Sequence, residues 1–176
     1  WFPMKYIEFL LNVCEENCIK HLIPLTDVEI DILNENRALF DRKGFVLCMS
    51  QSRSIQLVRD KYKMYQFLNE EKIQGFSLIE TKLMKDNNSS NIRFPCVVKM
   101  RNGRSSQGLH NLKDEQQLAL FKQQNDIEKF IIQPLILGTV ITVDVVRSSK
   151  TKKVVTVARE ELLRTLNGAG TSVKIM

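Results

Sequence analysis

Residues 94 to 112 read FPCVVKMRNGRSSQGLHNL. A short β-branched run ends at Lys99, and a small polar loop follows between Gly103 and Gly108. The glycine spacing matches the first half of the G-x-x-x-x-G-K-[ST] phosphate loop. Leu109 and His110, however, stand where Lys and Ser/Thr would be needed to reach the terminal phosphates and a metal. A dinucleotide fingerprint fails as well, because Arg104 and Ser105 follow Gly103 where a second glycine is required. With the lysine first, on the strand, the order suits a hairpin that folds over a polyanion, its amides from 103 to 108 on phosphate oxygens and Lys99 beneath them. The alternative is a solvated hairpin tip with Lys99 as an exposed strand residue.

Downstream, Asp114 followed by Gln117 marks a helix start. The runs FIIQPLIL, TVITVDVV and KVVTVAR then predict antiparallel strands, with TKK (151–153) as a hairpin tip. Upstream, LMKDNNSSNIRF has turn composition and suggests a subdomain boundary near residues 85–92. Before it the grammar differs. Apolar residues at Ile7, Leu10, Leu11, Cys14 and Cys18 predict a helix over 4–20. HLIPL reads as a strand, and Thr26 with Glu29 opens a helix that runs to Gly44. FVLCMS reads as another strand, residues 50–54 as a polar break, and RDKYKMYQFLNEEKI as a helix. Strands alternating with helices imply a parallel sheet.

The chain has 176 residues, 43% of them hydrophobic, enough to bury a core. A formal charge of +6 and a pI near 9.2 favour anionic partners. The basic residues are scattered among 20 acids, so a nucleic-acid footprint, which clusters charge and interleaves aromatics, is not indicated. Four cysteines, Cys14, Cys18, Cys48 and Cys96, mostly sit among apolar neighbours and read as reduced cytoplasmic thiols. Cys14 and Cys18 share a helix face and are expected in the core; no second pair completes a zinc site. No stretch approaches the ~20 apolar residues of a membrane span, and no leader is evident. Trp1 and the strand-like TSVKIM give both ends the look of cuts.

Taken in order, HLIPLTDVEIDIL, KGFVLCMS, RDKYKMYQFLNEEKI, FPCVVKMRNGRSSQG, FIIQPLILG, TVDVV and VVTVAREE resemble the ATP-grasp superfamily, most closely the large chain of carbamoyl-phosphate synthetase. The resemblance implies an α/β to α+β fold. Residues 1–55 would be the C-terminal part of a Rossmann-like domain, 56–92 connecting helices and linker, 93–137 the small lobe, and 138–176 the beginning of the large lobe. It implies ATP or ADP as ligand, with Lys61 and Lys99 on the phosphates and Gly103, Arg104, Ser105, Ser106, Gln107 and Gly108 as the loop over them. Gln133, Pro134, Leu135 and Ile136 would form the hinge whose main chain meets the adenine edge. Arg159, at the end of a strand, would face phosphate or an acyl phosphate. Such enzymes activate a carboxylate or bicarbonate for attack by an amine or another nucleophile.

Two departures stand out. The family's ribose-binding glutamate falls on Val140, two residues after Gly138. The Mg2+ ligands expected of the full-length parent find no match in Asp144, Glu160 or Glu161, so this chain alone is expected to be inactive. A rival reading is a non-catalytic nucleotide-sensing or protein-interaction module of the same fold.

Overall fold

The computed structural model describes residues 3–86, 92–103, 108–165 and 170–176. The backbone divides into two compact units, Trp1–Arg59 and Asp60–Met176, in a mixed α/β arrangement with three sheets among the described residues.

In the first unit, helix α1 (Pro3–Glu16) buries Ile7, Leu11 and Cys14 along one stripe, as three-and-four spacing dictates. It stops short of residue 20. Cys18 turns left-handed (φ +54°), and the Ile19 amide donates to the Cys14 carbonyl at 2.9 Å, closing the last turn. Cys18 is consequently exposed, which corrects its expected place in the core beside Cys14. Strand β1 (His21–Leu22) pairs in parallel with β2 (Val46–Leu47), the pairing that the alternation of strands and helices predicts.

Helix α2 (Asp27–Glu35) opens on the predicted capping box. The Glu29 amide donates to Thr26 Oγ1 at 3.3 Å, and the Thr26 amide donates back to the Glu29 carboxylate at 2.9 Å. The single helix expected to reach Gly44 is two. Asn36 leaves helical geometry (φ −106°, ψ 14°) and its side chain donates to the Ile32 carbonyl at 2.9 Å, so α3 (Arg37–Arg42) starts afresh. Gly44 then adopts φ +73°, the conformation that favours glycine as a stop. Helix α4 (Ser52–Arg59) begins within the expected polar break. Arg59 ties it to α2, meeting Asp31 Oδ1 at 2.7 Å and the Asp27 carbonyl at 2.6 Å.

The second unit opens with α5 (Lys61–Glu71), separated from α4 by Asp60, so the helix expected over 59–73 is also interrupted. A four-stranded antiparallel sheet follows, built from β3 (Lys82–Leu83), β4 (Cys96–Met100), β5 (His110–Leu112) and β6 (Phe130–Pro134) in the order β3-β6-β4-β5. Strand pairing and the burial of Leu83 and Met84 outweigh the turn-forming neighbours that predict a loop from residue 83. Residues 87–91 of that stretch lie outside the described residues.

One sheet face carries Cys96, Val98, Leu112, Phe130 and Ile132 and packs on Leu118 and Phe121 of α6 (Glu115–Gln124). Phe121 meets Phe130 edge-on at 5.1 Å and His110 at 4.9 Å. Side chains alternate along a strand, so Val97 and Lys99 occupy the other face. Only Val98 of the Val97–Val98 pair therefore packs against α6.

A second antiparallel sheet comprises β7 (Ile141–Arg147), β8 (Val154–Arg164) and β9 (Gly170–Ile175) in sequence order. The predicted TKK tip closes β7 onto β8: the Ser148 amide donates to the Lys153 carbonyl at 2.9 Å, and Lys152 adopts φ +61°.

Candidate functional site

Asp60 links the first turn of α5 to the end of β4. A short acceptor side chain at a helix N-cap satisfies amides that the helix itself leaves free, and Asp60 does so for α5, accepting from the amides of Tyr62 at 3.0 Å and Lys63 at 3.3 Å. The same carboxylate receives a two-point approach from Arg101, with Nη2 at 2.6 Å and Nε at 3.3 Å. Asp60 is only 7% exposed. Burial pushes its carboxyl up, but the Arg101 guanidinium and the two amides together outweigh that and hold it below the usual carboxylate range.

This clasp sets Lys61 against the chain leaving β4. The Lys61 amide donates to the Arg101 carbonyl at 3.1 Å, and its Nζ donates to the carbonyls of Gly103 at 2.6 Å and Arg101 at 3.4 Å. The Arg101 amide in turn donates to the Lys129 carbonyl at 2.8 Å, which extends the β4–β6 ladder by one step. Lys61, Arg101 and Gly103 are thus gathered at the entry to the glycine-flanked segment. Arg104, Ser105, Ser106 and Gln107 lie outside the described residues.

At the exit, Gly108 has φ +65°, and a Cβ built there would come within 2.6 Å of Met100 Cγ. Glycine is required at that position by the turn and by Met100, whatever the segment binds.

Lys99 stands on the sheet face opposite α6, paired in register with Ile131 and diagonal to Gln133. Its ammonium is half-buried, and burial lowers its pKa from the ordinary lysine value. Among the described residues it has no hydrogen-bond or ion-pair partner. A cation desolvated without a partner is costly, and an anion on that face would offset the cost.

The expected hinge leaves the sheet at the end of β6. Gln133 Nε2 donates to Thr81 Oγ1 at 2.8 Å, and the Leu135 amide donates to the Pro95 carbonyl at 3.0 Å. Ile136 is exposed. Gln133 and Pro134 line a pocket of about 200 Å3 together with Lys82, Glu80 and Arg93. Sequence reasoning missed Thr81, Asp60 and Arg101. Of these, Asp60 carried a signal, since an aspartate just before a helical run is an N-cap candidate.

Arg159 does not end its strand. It lies inside β8 opposite Thr142, because β9 supplies ladder partners as far as Arg164 across an irregularity near Glu161. Its guanidinium pairs with Asp144, Nε to Oδ2 at 3.0 Å. Glu161 is held by the Thr142 hydroxyl and by Arg164 Nε at 2.7 Å. Asp144 and Glu161 are thus both ion-paired. No group of three or more His, Cys, Asp or Glu among the described residues could hold a metal ion.

No curated protein sequence matches the chain. Several solved structures share its fold. The biotin carboxylase of Campylobacter jejuni in a β-γ-ATP complex is 16% identical with a TM-score of 0.72, covering 90% of this chain and 38% of that one. The biotin carboxylase domain of 2-oxoglutarate carboxylase from Hydrogenobacter thermophilus, in complex with MgADP, ADP and bicarbonate, is 14% identical with a TM-score of 0.67, over 89% and 38%. D-alanine-D-alanine ligase from Helicobacter pylori is 19% identical with a TM-score of 0.56, over 73% and 40%. This chain therefore spans at most two fifths of the length of these three structures. At such identities the likeness is one of fold. The profile of the ATP-grasp domain, in contrast, matches the sequence itself over residues 58–175, and the chain belongs to the ATP-grasp family.

Proposed function

We propose that this chain binds ATP by its phosphates, as the nucleotide-holding part of a ligase that activates a carboxylate or bicarbonate as an acyl phosphate for attack by an amine or another nucleophile. The observation that carries this reading is Lys99, a half-buried ammonium without a partner among the described residues, on the sheet face opposite α6 beside the buried Val97 and Ile131. A phosphate oxygen there would form a charge-assisted hydrogen bond in partly desolvated surroundings. Lys61 is the second cation of the reading and would exchange the Gly103 carbonyl for a phosphate oxygen. The pocket beside Gln133 and Pro134 is the place assigned to adenine, with Leu135 and Ile136 continuing the hinge.

The same reading divides the chain into the tail of a Rossmann-like domain (1–55), connecting helices (56–92), a small lobe (93–137) and the beginning of a large lobe (138–176). Among ligases of this fold it favours a carbamoyl-phosphate-synthase-like parent in the cytoplasm. The nucleotide and bicarbonate named for the H. thermophilus enzyme support the ligand class. The Mg2+ such enzymes use is not matched here, since no group of three or more His, Cys, Asp or Glu among the described residues could hold it.

The alternative, a nucleotide-sensing or protein-interaction module, draws on Val140 at the ribose-binding position and on the Arg159–Asp144 pair, which occupies the candidate catalytic cation. Thermal unfolding tests the shared premise. Millimolar ATP is expected to raise the Tm of the chain, because a ligand bound only by the folded state stabilises it, while adenosine at the same concentration raises it less. An unchanged Tm with ATP would sink the ligase and the nucleotide-sensing readings and leave the protein-interaction module. Bicarbonate-dependent ADP release by the full-length parent, not expected of this chain alone, would favour the ligase over the sensor.

A further inference from the structure

The Asp60–Arg101 pair belongs to none of the roles above, yet it holds both things that the phosphate site needs. Asp60 caps α5 and thereby fixes where Lys61 begins. Arg101 is bonded to Asp60 by its side chain, to Lys129 by its amide and to Lys61 through its carbonyl. Hydrogen bonds thus converge on Asp60 and Arg101 between the first turn of α5 and the end of β4: the two amides into the carboxylate, the two guanidinium contacts, and the Lys61 amide and ammonium into the Arg101 carbonyl.

We propose that Asp60 and Arg101 are positioning residues for a polyphosphate: their two-point ion pair anchors residues 101–103 at the end of β4 and holds Lys61 Nζ beside the Gly103 carbonyl, without either residue touching the ligand. This rests on the nucleotide reading. The guanidinium is turned inward, onto a carboxylate that is almost wholly buried, so it is spent on Asp60. The carboxylate cannot bind phosphate, and its burial keeps Arg101 from reaching outward without leaving an uncompensated charge behind.

The test uses the full chain with Arg101→Met, Asp60→Asn, the double variant, and Arg101→Lys as a milder change if Arg101→Met fails to fold. Asparagine keeps the helix cap and removes only the ion pair. Two readouts are taken. The first is amide hydrogen exchange at residues 101–103, which needs no ligand. The second is the affinity for ATP, for inorganic tripolyphosphate and for adenosine.

Exchange at 101–103 should quicken in either single variant while α6 is unchanged. Affinity for ATP and tripolyphosphate should fall roughly tenfold in each, about one charge-assisted hydrogen bond's worth, with adenosine unaffected. The double variant should lose no more than either single one, the signature of residues acting as a unit.

Unchanged exchange at 101–103 in both single variants overturns the anchor. A polyphosphate loss in Arg101→Met without one in Asp60→Asn means that Arg101 touches phosphate itself, and overturns the positioning role. A wild-type chain that binds neither ATP nor tripolyphosphate overturns the nucleotide reading and the positioning role with it; quickened exchange would then leave the pair as an anchor alone.

Discussion

The Lys61 ammonium donates to the Gly103 carbonyl at 2.6 Å across forty-two positions of sequence, so a helix N-terminus and a strand-exit loop share one cation. In the proposed function this bond is what a phosphate must displace. Lys61→Met should therefore have two consequences. The chain loses about 1.5–3 kcal/mol of stability, the scale of a hydrogen bond to a charged group, and ATP affinity falls as well. Urea unfolding and an ATP titration on the same protein read both. A variant as stable as the wild type would show that the bond contributes nothing to the fold.

Asp60 should make the chain acid-sensitive. Its folded carboxyl lies below the ordinary value, because Arg101 and two backbone amides outweigh burial. As pH falls through about 4, the unfolded chain takes up the proton before the folded one does, so stability drops until Asp60 is protonated in the folded chain too. The contribution is complete above that range. In Asp60→Asn this part of the pH dependence should vanish, leaving a protein less stable at neutral pH but flatter toward acid. Equal slopes for the two proteins between pH 5 and pH 3 would contradict it.

Gly108→Ala should cost about 1–3 kcal/mol, because alanine at φ +65° is strained and its Cβ would collide with Met100. Met100→Ala should relieve the collision but not the strain, so the double variant should recover part of the loss. Full additivity of the two losses would place Gly108 away from Met100 in solution.

Much of this architecture is local and could be read directly. Thr26 with Glu29, Asp114 as a cap, the β-branched run before Lys99 and the TKK tip each carry their cause within four residues. What escaped was set by partners far along the chain. Leu83 becomes a strand because β6 lies beside it, and β8 runs on to Arg164 because β9 gives it a ladder. The break at Asn36 and the left-handed Cys18 override an apolar rhythm that continues through both.

The candidate site divides in the same way. Lys99 stood out as a strand cation just before a glycine-spaced loop, whereas Lys61 came only from the family resemblance. Arg101 looked like one more basic residue, since its partner sits forty-one positions earlier. Thr81, buried against Gln133, had no pattern around it at all.

In the proposed function Lys99 is kept partly desolvated for a phosphate. Calorimetric titration of ATP, ADP and adenosine into the wild type and into Lys99→Met tests it most directly. Methionine fills similar space without the charge, so Lys99→Met should unfold at an equal or higher urea concentration than the wild type, burial no longer opposing an ammonium there. ATP affinity should nevertheless fall roughly ten- to a hundredfold, the loss of a charge-assisted hydrogen bond, with adenosine binding alike in both proteins. Wild-type affinity for ATP should also weaken as salt rises. ATP binding with equal affinity to the wild type and to Lys99→Met would contradict the account.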